Sequence, residues 1–479
     1  GEEFGAVFSM ALKKLSPGSP GWWLLDVLHG TARGRRLLAR ADHEPDDELA
    51  SQLCNEAGLK VDPQFHKALV RCLARPKVCA VQGPPGTGKT VLLALVAEGL
   101  ARQGLRVGIT AHTHQAVNNA LSTLHDLFPN RRVCKLGNGV RRESLAADIR
   151  CVLLKDEFEG GDPPLLDSTV FGLTYTSATI QLSIRQSLFA PHVVLVDEAG
   201  QLPLSYAASM GLMGASSFLL FGDDRQMPPV FRSPPETQID AVSVFTRFRQ
   251  HHPDRIIQLT VTHRLNQQLC AAVSEVFYEG AGLPAIKPSA NAKDRTLAIT
   301  GREISNLGAA ALLSGASLCW IDSPKGDDRE FNPWEAERAV EIIEAALTGG
   351  IDPMQIAVVA PFRRQVACVR RVVTQRLSGD ADIRLVDTVE RLQGLTVEVV
   401  VVVATSSSPE YISQIGDFLF SANRLNVAIS RARCKAIVVG SDALWKSVPA
   451  TLMGLEGQRL WQQLKSHASL FNYTDADLR

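Results

Sequence analysis

The sequence lacks any excess of charge: 50 Lys plus Arg stand against 50 Asp plus Glu, with a pI near 7.3. No broad basic face or tail is therefore available to hold phosphate by bulk charge, and any nucleic-acid site must be a local groove. It also lacks paired cysteines. The nine present are scattered, with no C-x-x-C pair, which argues against a zinc module and a disulfide framework and is expected of buried, reduced thiols in a cytoplasmic or nuclear protein. A signal peptide, a membrane-length apolar run and a low-complexity tail are missing too, so no membrane partner is expected. The chain opens on Gly1 and not Met, and a missing upstream segment is expected. At 479 residues it exceeds what one core holds, and two to four domains are expected.

What is present is organised around Gly83-Pro-Pro-Gly-Thr-Gly-Lys-Thr90, set between the apolar run Val78–Val81 and the helix-forming run Val91–Val96. This is strand, phosphate loop, helix. The glycines let backbone amides wrap an anion, Lys89 adds a point charge near the β- and γ-phosphates, and the Thr90 hydroxyl suits Mg²⁺. The loop predicts nucleoside triphosphate binding through Gly83, Gly86, Thr87, Gly88, Lys89 and Thr90.

Upstream, Phe4–Leu15 has helical spacing, Ser16–Pro20 is a breaker, and Trp22-Trp23-Leu24-Leu25 opens a second apolar helix. The paired tryptophans could stack on bases, but their apolar helical setting favours core or interface. Asp62 caps a helix with Pro63 at its first position, which puts Gln64 just before the phosphate loop; its amide can both donate to and accept from an adenine edge. Downstream, the strand Gly104–Thr110 runs into Ala111–Asn118. His112-x-His114 could face a metal on a strand, but lacks a third ligand cluster, and polar residues at a strand end more plausibly meet a substrate. Another strand, Thr169–Thr174, precedes Tyr175–Ala178. The run His192–Val196 then ends in Asp197-Glu198-Ala-Gly-Gln201: Asp197 to hold Mg²⁺ through water, Glu198 to orient and deprotonate the attacking water.

The strand Ser217–Gly222 ends in Asp223-Asp-Arg-Gln226-Met-Pro-Pro229. The pattern Gly-Asp-x-x-Gln-x-Pro-Pro resembles the third motif of the superfamily 1 helicases, and other stations follow in order. Gln64 looks like the adenine-reading glutamine, Thr110–Asn118 like motif Ia, Thr174–Ala178 like the next strand-contact motif, Asp197–Gln201 like motif II, and Thr262-His263-Arg264-Leu265 like motif IV, followed by Ser274–Gly280. Trp334-Glu335-Ala336 and Ile356–Gln365 resemble the start of the second motor domain, Val386–Gly394 motif V, and Asn423–Arg433 motif VI. The resemblance covers about residues 60 to 445 and is strongest to the B branch, which holds the nonsense-mediated-decay RNA helicase and senataxin-like helicases.

That resemblance implies an α/β chain with two tandem RecA-like P-loop domains of parallel strands and ATP in the cleft between them. Expected boundaries are an N-terminal helical extension at 1–59, a first domain at 60–255 and a second at 256–479 with strands near Leu318, Ile356, Leu385, Val399 and Ile437. It implies ATP and Mg²⁺ as cofactors, Gln226 as γ-phosphate sensor, Arg264 and Arg431 reaching the γ-phosphate, His263 against adenine, and Thr113, His114, Thr174, Phe362, Gln365 and Thr388 along a single strand of DNA or RNA. The implied activity is a monomeric ATP-driven translocase or helicase, 5′ to 3′, recruited by a partner protein or an upstream region. A strand-stimulated ATPase that clamps or remodels a complex without unwinding is the alternative. A ring-forming ATPase is disfavoured, because both arginines lie in the same chain. Two departures stand out: His263 replaces the usual tyrosine, and Gly394-Leu-Thr396 lacks the usual motif V carboxylate, both bearing on base or ribose selectivity. Nothing before residue 60 resembles a full β-barrel insertion, so the accessory domain is reduced, absent or upstream.

Overall fold

The computed structural model describes residues 16–17, 21–39, 43–136, 145–152, 169–178, 191–211, 213–229, 242–300, 304, 306–377, 383–392 and 394–473. The expected helix at Phe4–Leu15, most of the Ser16–Pro20 breaker and Gln393 lie outside them. Contacts divide the chain into two units. The first is Gly1–Pro84, Gly88–Asp224 and Pro228–Thr260; the second is Pro85–Thr87, Arg225–Met227 and Val261–Arg479.

The first unit is built on an eight-stranded sheet. Its strands are β1 (Val78–Gln82), β2 (Val107–Ala111), β3 (Val133–Leu136), β4 (Arg150–Val152), β5 (Val170–Thr174), β6 (Val193–Val196), β7 (Ser217–Gly222) and β8 (Ile256–Gln258). The spatial order is β4-β3-β5-β2-β6-β7-β1-β8, and every described pairing is parallel. Parallel strands need helical crossovers on both faces, so their residues are buried on both sides and read as continuous apolar runs. Alternate residues of β1 show this. Cys79 and Val81 join a core with the helices Asp47–Glu56, Pro63–Leu73, Lys89–Arg102 and His114–Leu127. Val78 and Ala80 face the opposite core, with Phe218, Leu220 and the helices Trp22–Leu28, Ala32–Leu38 and Val244–His251.

In that second layer Leu24, Val27 and Leu28 are buried, and Trp23 packs 5.7 Å from Phe218 between ring centroids. Trp23 is thus a packing residue. Asp62 caps the helix Pro63–Leu73 as expected, accepting from the amides of Gln64 and Phe65.

After the short parallel pair β9 (Val261–Thr262) and β10 (Lys287–Pro288), the second unit carries a six-stranded parallel sheet. Its strands are β11 (Leu318–Ser323), β12 (Ile356–Ala360), β13 (Leu385–Thr388), β14 (Val397–Val403), β15 (Ala432–Ser441) and β16 (Ser469–Asn472), ordered β13-β12-β14-β15-β11-β16. The five expected strands are all there, and β16 adds an edge. One face, with Val358, Val401 and Ile437, is covered by the helices Leu307–Leu313, Pro333–Thr348 and Arg363–Arg376. The other, with Trp320, Val400 and Val438, is covered by Gln267–Val273, Ala422–Ile429 and Leu452–Ser466.

Candidate nucleotide and strand sites

In parallel α/β sheets the carboxyl ends of the strands open into loops where ligands sit. At the end of β1 the chain enters the phosphate loop. Gly86 and Gly88 take φ +72° and +83°, a left-handed backbone that side chains resist. The loop feeds the helix Lys89–Arg102, whose first turn presents free amide donors. Lys89 Nζ lies 3.2 Å from Asp197 Oδ1 and 2.9 Å from Glu198 Oε1. Burial works against its charge, but attraction to Asp197 and Glu198 outweighs that and holds its pKa above the usual lysine range.

Glu198, at the end of β6, is itself left-handed at φ +52°. A non-glycine residue held there is strained, and such strain persists where the surroundings over-determine it. The surroundings are visible: the Glu198 amide donates to Asp197 Oδ1 at 2.9 Å, and Gln201 Nε2 donates to Glu198 Oε2 at 3.2 Å. Gln201 is a positioning residue that its place three residues after the glutamate could have signalled.

A polar network in the same unit was not foreseen. Gln82, fully buried at the end of β1, donates to Asp223 Oδ1 at 3.0 Å and Asp224 Oδ1 at 3.2 Å. Arg249 closes the ring, donating to Asp224 Oδ2 at 2.7 Å and to Gln82 Oε1 at 2.6 Å. Gln82 immediately precedes the phosphate loop and Asp224 immediately precedes Arg225-Gln226, so the network fixes the roots of both segments. The only sequence signal is the doubled acid after Gly222, since Arg249 lies in an otherwise ordinary amphipathic helix.

In the second unit, Arg431 Nη2 donates to Gln226 Oε1 at 2.9 Å, and Arg264 Nη1 donates to the Ser430 carbonyl at 3.1 Å. Asn426 Nδ2 donates to the Arg225 carbonyl at 2.7 Å, and Asn423 Nδ2 to that of Gln226. His263 donates its amide to the Gly86 carbonyl at 2.8 Å, and Thr262 Oγ1 donates to Pro85 O at 2.7 Å. A Cβ on Gly86 would come within 2.4 Å of Arg264 Cβ, so the glycine is required for contact as well as for φ. Burial, with Arg431 and Arg433 nearby, pushes the Arg264 guanidinium down to about 9. This is crowded positive charge that an anion such as a γ-phosphate would relieve. The His263 ring is exposed, as is Gln64.

These donor sets fit a magnesium nucleotide. Magnesium is commonly held by one or two protein oxygens plus phosphates and water. Thr90 at the first helical turn and Asp197 at the end of β6 offer them, and among the described residues no cluster of three or more His, Cys, Asp and Glu groups competes for a metal.

The residues expected on a strand divide. In the first unit Thr113 is exposed and caps His114–Leu127, accepting from the Ala116 amide at 3.1 Å. His114, half-buried, opens that helix, and Thr174 ends β5 with its hydroxyl donating to Ser177 Oγ at 3.0 Å. His112 stacks on Tyr175 with its Nδ1 2.6 Å from the phenol oxygen. In the second unit Phe362 immediately precedes the helix Arg363–Arg376 after β12, and Thr388 ends β13. Thr388 lines a cavity of about 480 Å³ with Arg363, Arg370, Arg391 and Asp387. Gln365 departs from expectation. It is fully buried, its Oε1 accepting from the Asn332 amide at 2.6 Å and its Nε2 donating to the Asn332 carbonyl at 3.0 Å, so it holds a loop and has no face for a strand.

Comparison with known proteins adds to this geometry. Two family models, each described as an AAA domain, match residues 61–293 and 241–443. The DNA replication ATP-dependent helicase/nuclease dna2 of Schizosaccharomyces pombe is 25% identical over 431 residues, 81% of this chain and 29% of that protein. The protein of the same description from Bos taurus is 27% identical over 90% of this chain and 42% of its own length. The chain thus spans about a third of the length of such relatives. Among solved structures, an arterivirus nonstructural protein 10 (helicase) in complex with DNA aligns at a TM-score of 0.40 with 14% identity, covering 82% of this chain and 65% of that one.

Proposed function

We propose, from the premise that this chain belongs to the superfamily 1 helicases of the B branch, that it hydrolyses ATP to travel along a single strand of nucleic acid, 5′ to 3′, and to unwind the duplex ahead. The observation that carries the reading is the pair of sets just described: Lys89 with Asp197 and Glu198 on one unit's strand ends, and Gln226 with Arg431 beside Arg264 in the other.

Phosphoryl transfer is catalysed mainly by positioning and charge. Glu198, fixed by Asp197 and Gln201, takes the proton of the attacking water. Lys89 and the loop amides of Gly86, Thr87 and Gly88 hold the phosphates. Magnesium, held by Thr90 and Asp197, would neutralise charge developing between the β- and γ-phosphates. Gln226 senses the γ-phosphate, and Arg264 and Arg431 stabilise the charge that builds on it, an effect of about 10³ to 10⁵ in rate for arginine fingers. Gln64 and His263 are assigned to the adenine. The arginines lie in one unit and the phosphate loop helix in the other.

Thr113, His114, Thr174, Phe362 and Thr388 are assigned to the strand. DNA is the favoured polymer, since the relatives are named for DNA replication, and the same names, with nine free cysteines, support the cytoplasmic or nuclear setting proposed for the chain. None of the described helices is long and apolar enough to cross a membrane. The motor is proposed to act as a monomer.

The test is ATP turnover of the chain alone and with single-stranded DNA or RNA of equal length, with Glu198→Gln as the blank, followed by strand displacement from 5′- and 3′-tailed duplexes. Stimulation by a strand and displacement only from the 5′ tail are expected. Hydrolysis indifferent to both polymers would overturn the reading, and stimulation without displacement would leave a remodelling ATPase.

A further inference from the structure

We propose that Phe418 and Tyr411, both in the segment between β14 and motif VI, join Phe362 as a base-stacking shelf beside the arginine-lined cavity of the second unit. The proposal rests on the strand-binding reading above and extends it to residues outside the motifs.

Phe362 lies two residues beyond the end of β12, while Tyr411 lies in the helix Pro409–Gln414 and Phe418 in Gly416–Leu419, both following β14. Strands β12 and β14 are neighbours, so the three rings converge at the carboxyl edge of the sheet. Phe362 lies 5.5 Å from Phe418 and 6.3 Å from Tyr411 between centroids, at 42° and 40°. The guanidinium of Arg424 sits 4.3 Å over Phe418 and that of Arg329 5.8 Å over Tyr411. Arg424 is held there by Glu390 at 2.9 Å, and the Tyr411 hydroxyl donates to Glu330 at 3.3 Å. Even so, Phe418 keeps 37% of its surface exposed.

On the other side of β12 runs β13, with Thr388 registered against Ala360. Thr388 opens into the cavity of about 480 Å³ lined by Arg363, Arg370, Arg391 and Asp387, where Asp387 pairs with Arg370 at 3.2 Å and the lining keeps a net positive charge. Cationic groups and aromatic faces thus flank the same strand end. That pairing fits one occupant, a single strand whose phosphates enter the arginine cavity and whose bases lie on the rings, because every base has a flat face and stacking tolerates any sequence. A docked protein segment would be served by the rings but gives no reason for Arg363 and Arg391 to join the Arg370–Asp387 pair around one cavity.

Fluorescence anisotropy tests this with the full chain and three oligomers of equal length: oligo-dT, oligo-rU and an abasic deoxyribose strand that keeps the phosphates. Phe418→Ala is expected to weaken oligo-dT or oligo-rU binding by about 5- to 20-fold, the lower part of the range for a base–aromatic stack. It leaves the abasic strand unchanged, and Phe418→Trp restores affinity. Phe418→Leu, which keeps apolar bulk but no flat face, should behave as Phe418→Ala and guards against a variant that fails to fold. Arg363→Ala should weaken all three oligomers and lower the salt slope by about one. Equal affinity of Phe418→Ala and wild type for the base-bearing strands overturns the shelf, as does an equal loss on the abasic strand. A wild-type chain that binds no oligomer overturns the translocase reading itself, a distinguishable failure.

Discussion

Glu335 offers a perturbation whose size can be worked from its surroundings. It is fully buried in the helix Pro333–Thr348, with Oε1 accepting from Ser323 Oγ and Oε2 from the Thr405 amide, each at 2.7 Å. Burial pushes its pKa up to about 8, against the pull of those two hydrogen bonds and with a further push from Asp328. The folded pKa lies above the unfolded one, so the native state holds a proton that the unfolded chain has released. The associated stability is complete below the ordinary carboxyl pKa of 4.5 and drains away as pH rises towards about 8. At ~1.4 kcal/mol per pKa unit, the full drain is on the order of 5 kcal/mol.

Glu335→Gln removes the titration while keeping the shape. The amide oxygen can accept from Thr405, and the Ser323 hydroxyl can turn to accept from the amide nitrogen. Thermal unfolding of wild type and variant is compared from pH 5.5 to pH 9. At pH 5.5, one unit above the ordinary carboxyl pKa of 4.5, the variant should lead by only ~1.4 kcal/mol. At the alkaline end the variant should melt higher by on the order of 10 °C in the transition that includes the second unit, at ~2–4 °C per kcal/mol. Parallel curves across the range would refute the reasoning, because they would mean that Glu335 is ionised throughout or that its charge is fully compensated.

Other substitutions separate roles that the sequence alone merges. Arg431→Ala should lower kcat for ATP by ~10³-fold or more with nucleotide binding largely kept, read by single-turnover hydrolysis and a fluorescent ATP analogue; a KM effect alone would make Arg431 a binding residue. Gln365→Ala strands the Asn332 amide and carbonyl in the interior and should cost about 2–3 kcal/mol in urea unfolding. Strand affinity of the folded fraction should not change, and a selective loss of affinity would return Gln365 to the strand path. Arg249→Ala leaves the side chains of Asp224 and Gln82 without their guanidinium partner and should destabilise by about 2–4 kcal/mol. It should also lower strand-stimulated turnover more than basal turnover, whereas Arg249→Lys, which keeps the charge but loses the fork, should recover stability better than coupling.

What could be read in advance followed from residue types that have few other uses. A phosphate loop needs glycines at left-handed φ and a lysine at the helix start, and Gly86, Gly88 and Lys89 occupy those places with the geometry the spacing implies. Buried parallel strands need unbroken apolar runs, and Val397–Val403 announces itself. Edges are harder. Strand β8, only three residues long, reads like the start of whatever follows, yet it pairs with β1 and belongs to the first sheet; β16 is largely exposed and carries no run at all. Polar positioning residues are the hardest, because a glutamine that binds adenine, one that clamps a loop and one that sits in solvent are the same letter. Gln64, Gln82, Gln201 and Gln365 illustrate the point. Gln64 is exposed on a helix N-terminus, whereas Gln82 and Gln365 are fully buried and spend their amides on Asp223, Asp224 and Asn332, and Gln201 spends its own on Glu198. A charged motif residue narrows its own reading, because a buried charge must find a partner or give up its charge, as Glu335 does. An amide is cheap enough to bury for shape alone, so its role is decided by which backbone or carboxylate the fold brings within 3 Å. For that reason the charged candidates Lys89, Asp197 and Glu198 were legible at the level of spacing, while the side chains that hold such segments in register become visible only once β1, β6 and the helix Val244–His251 lie together.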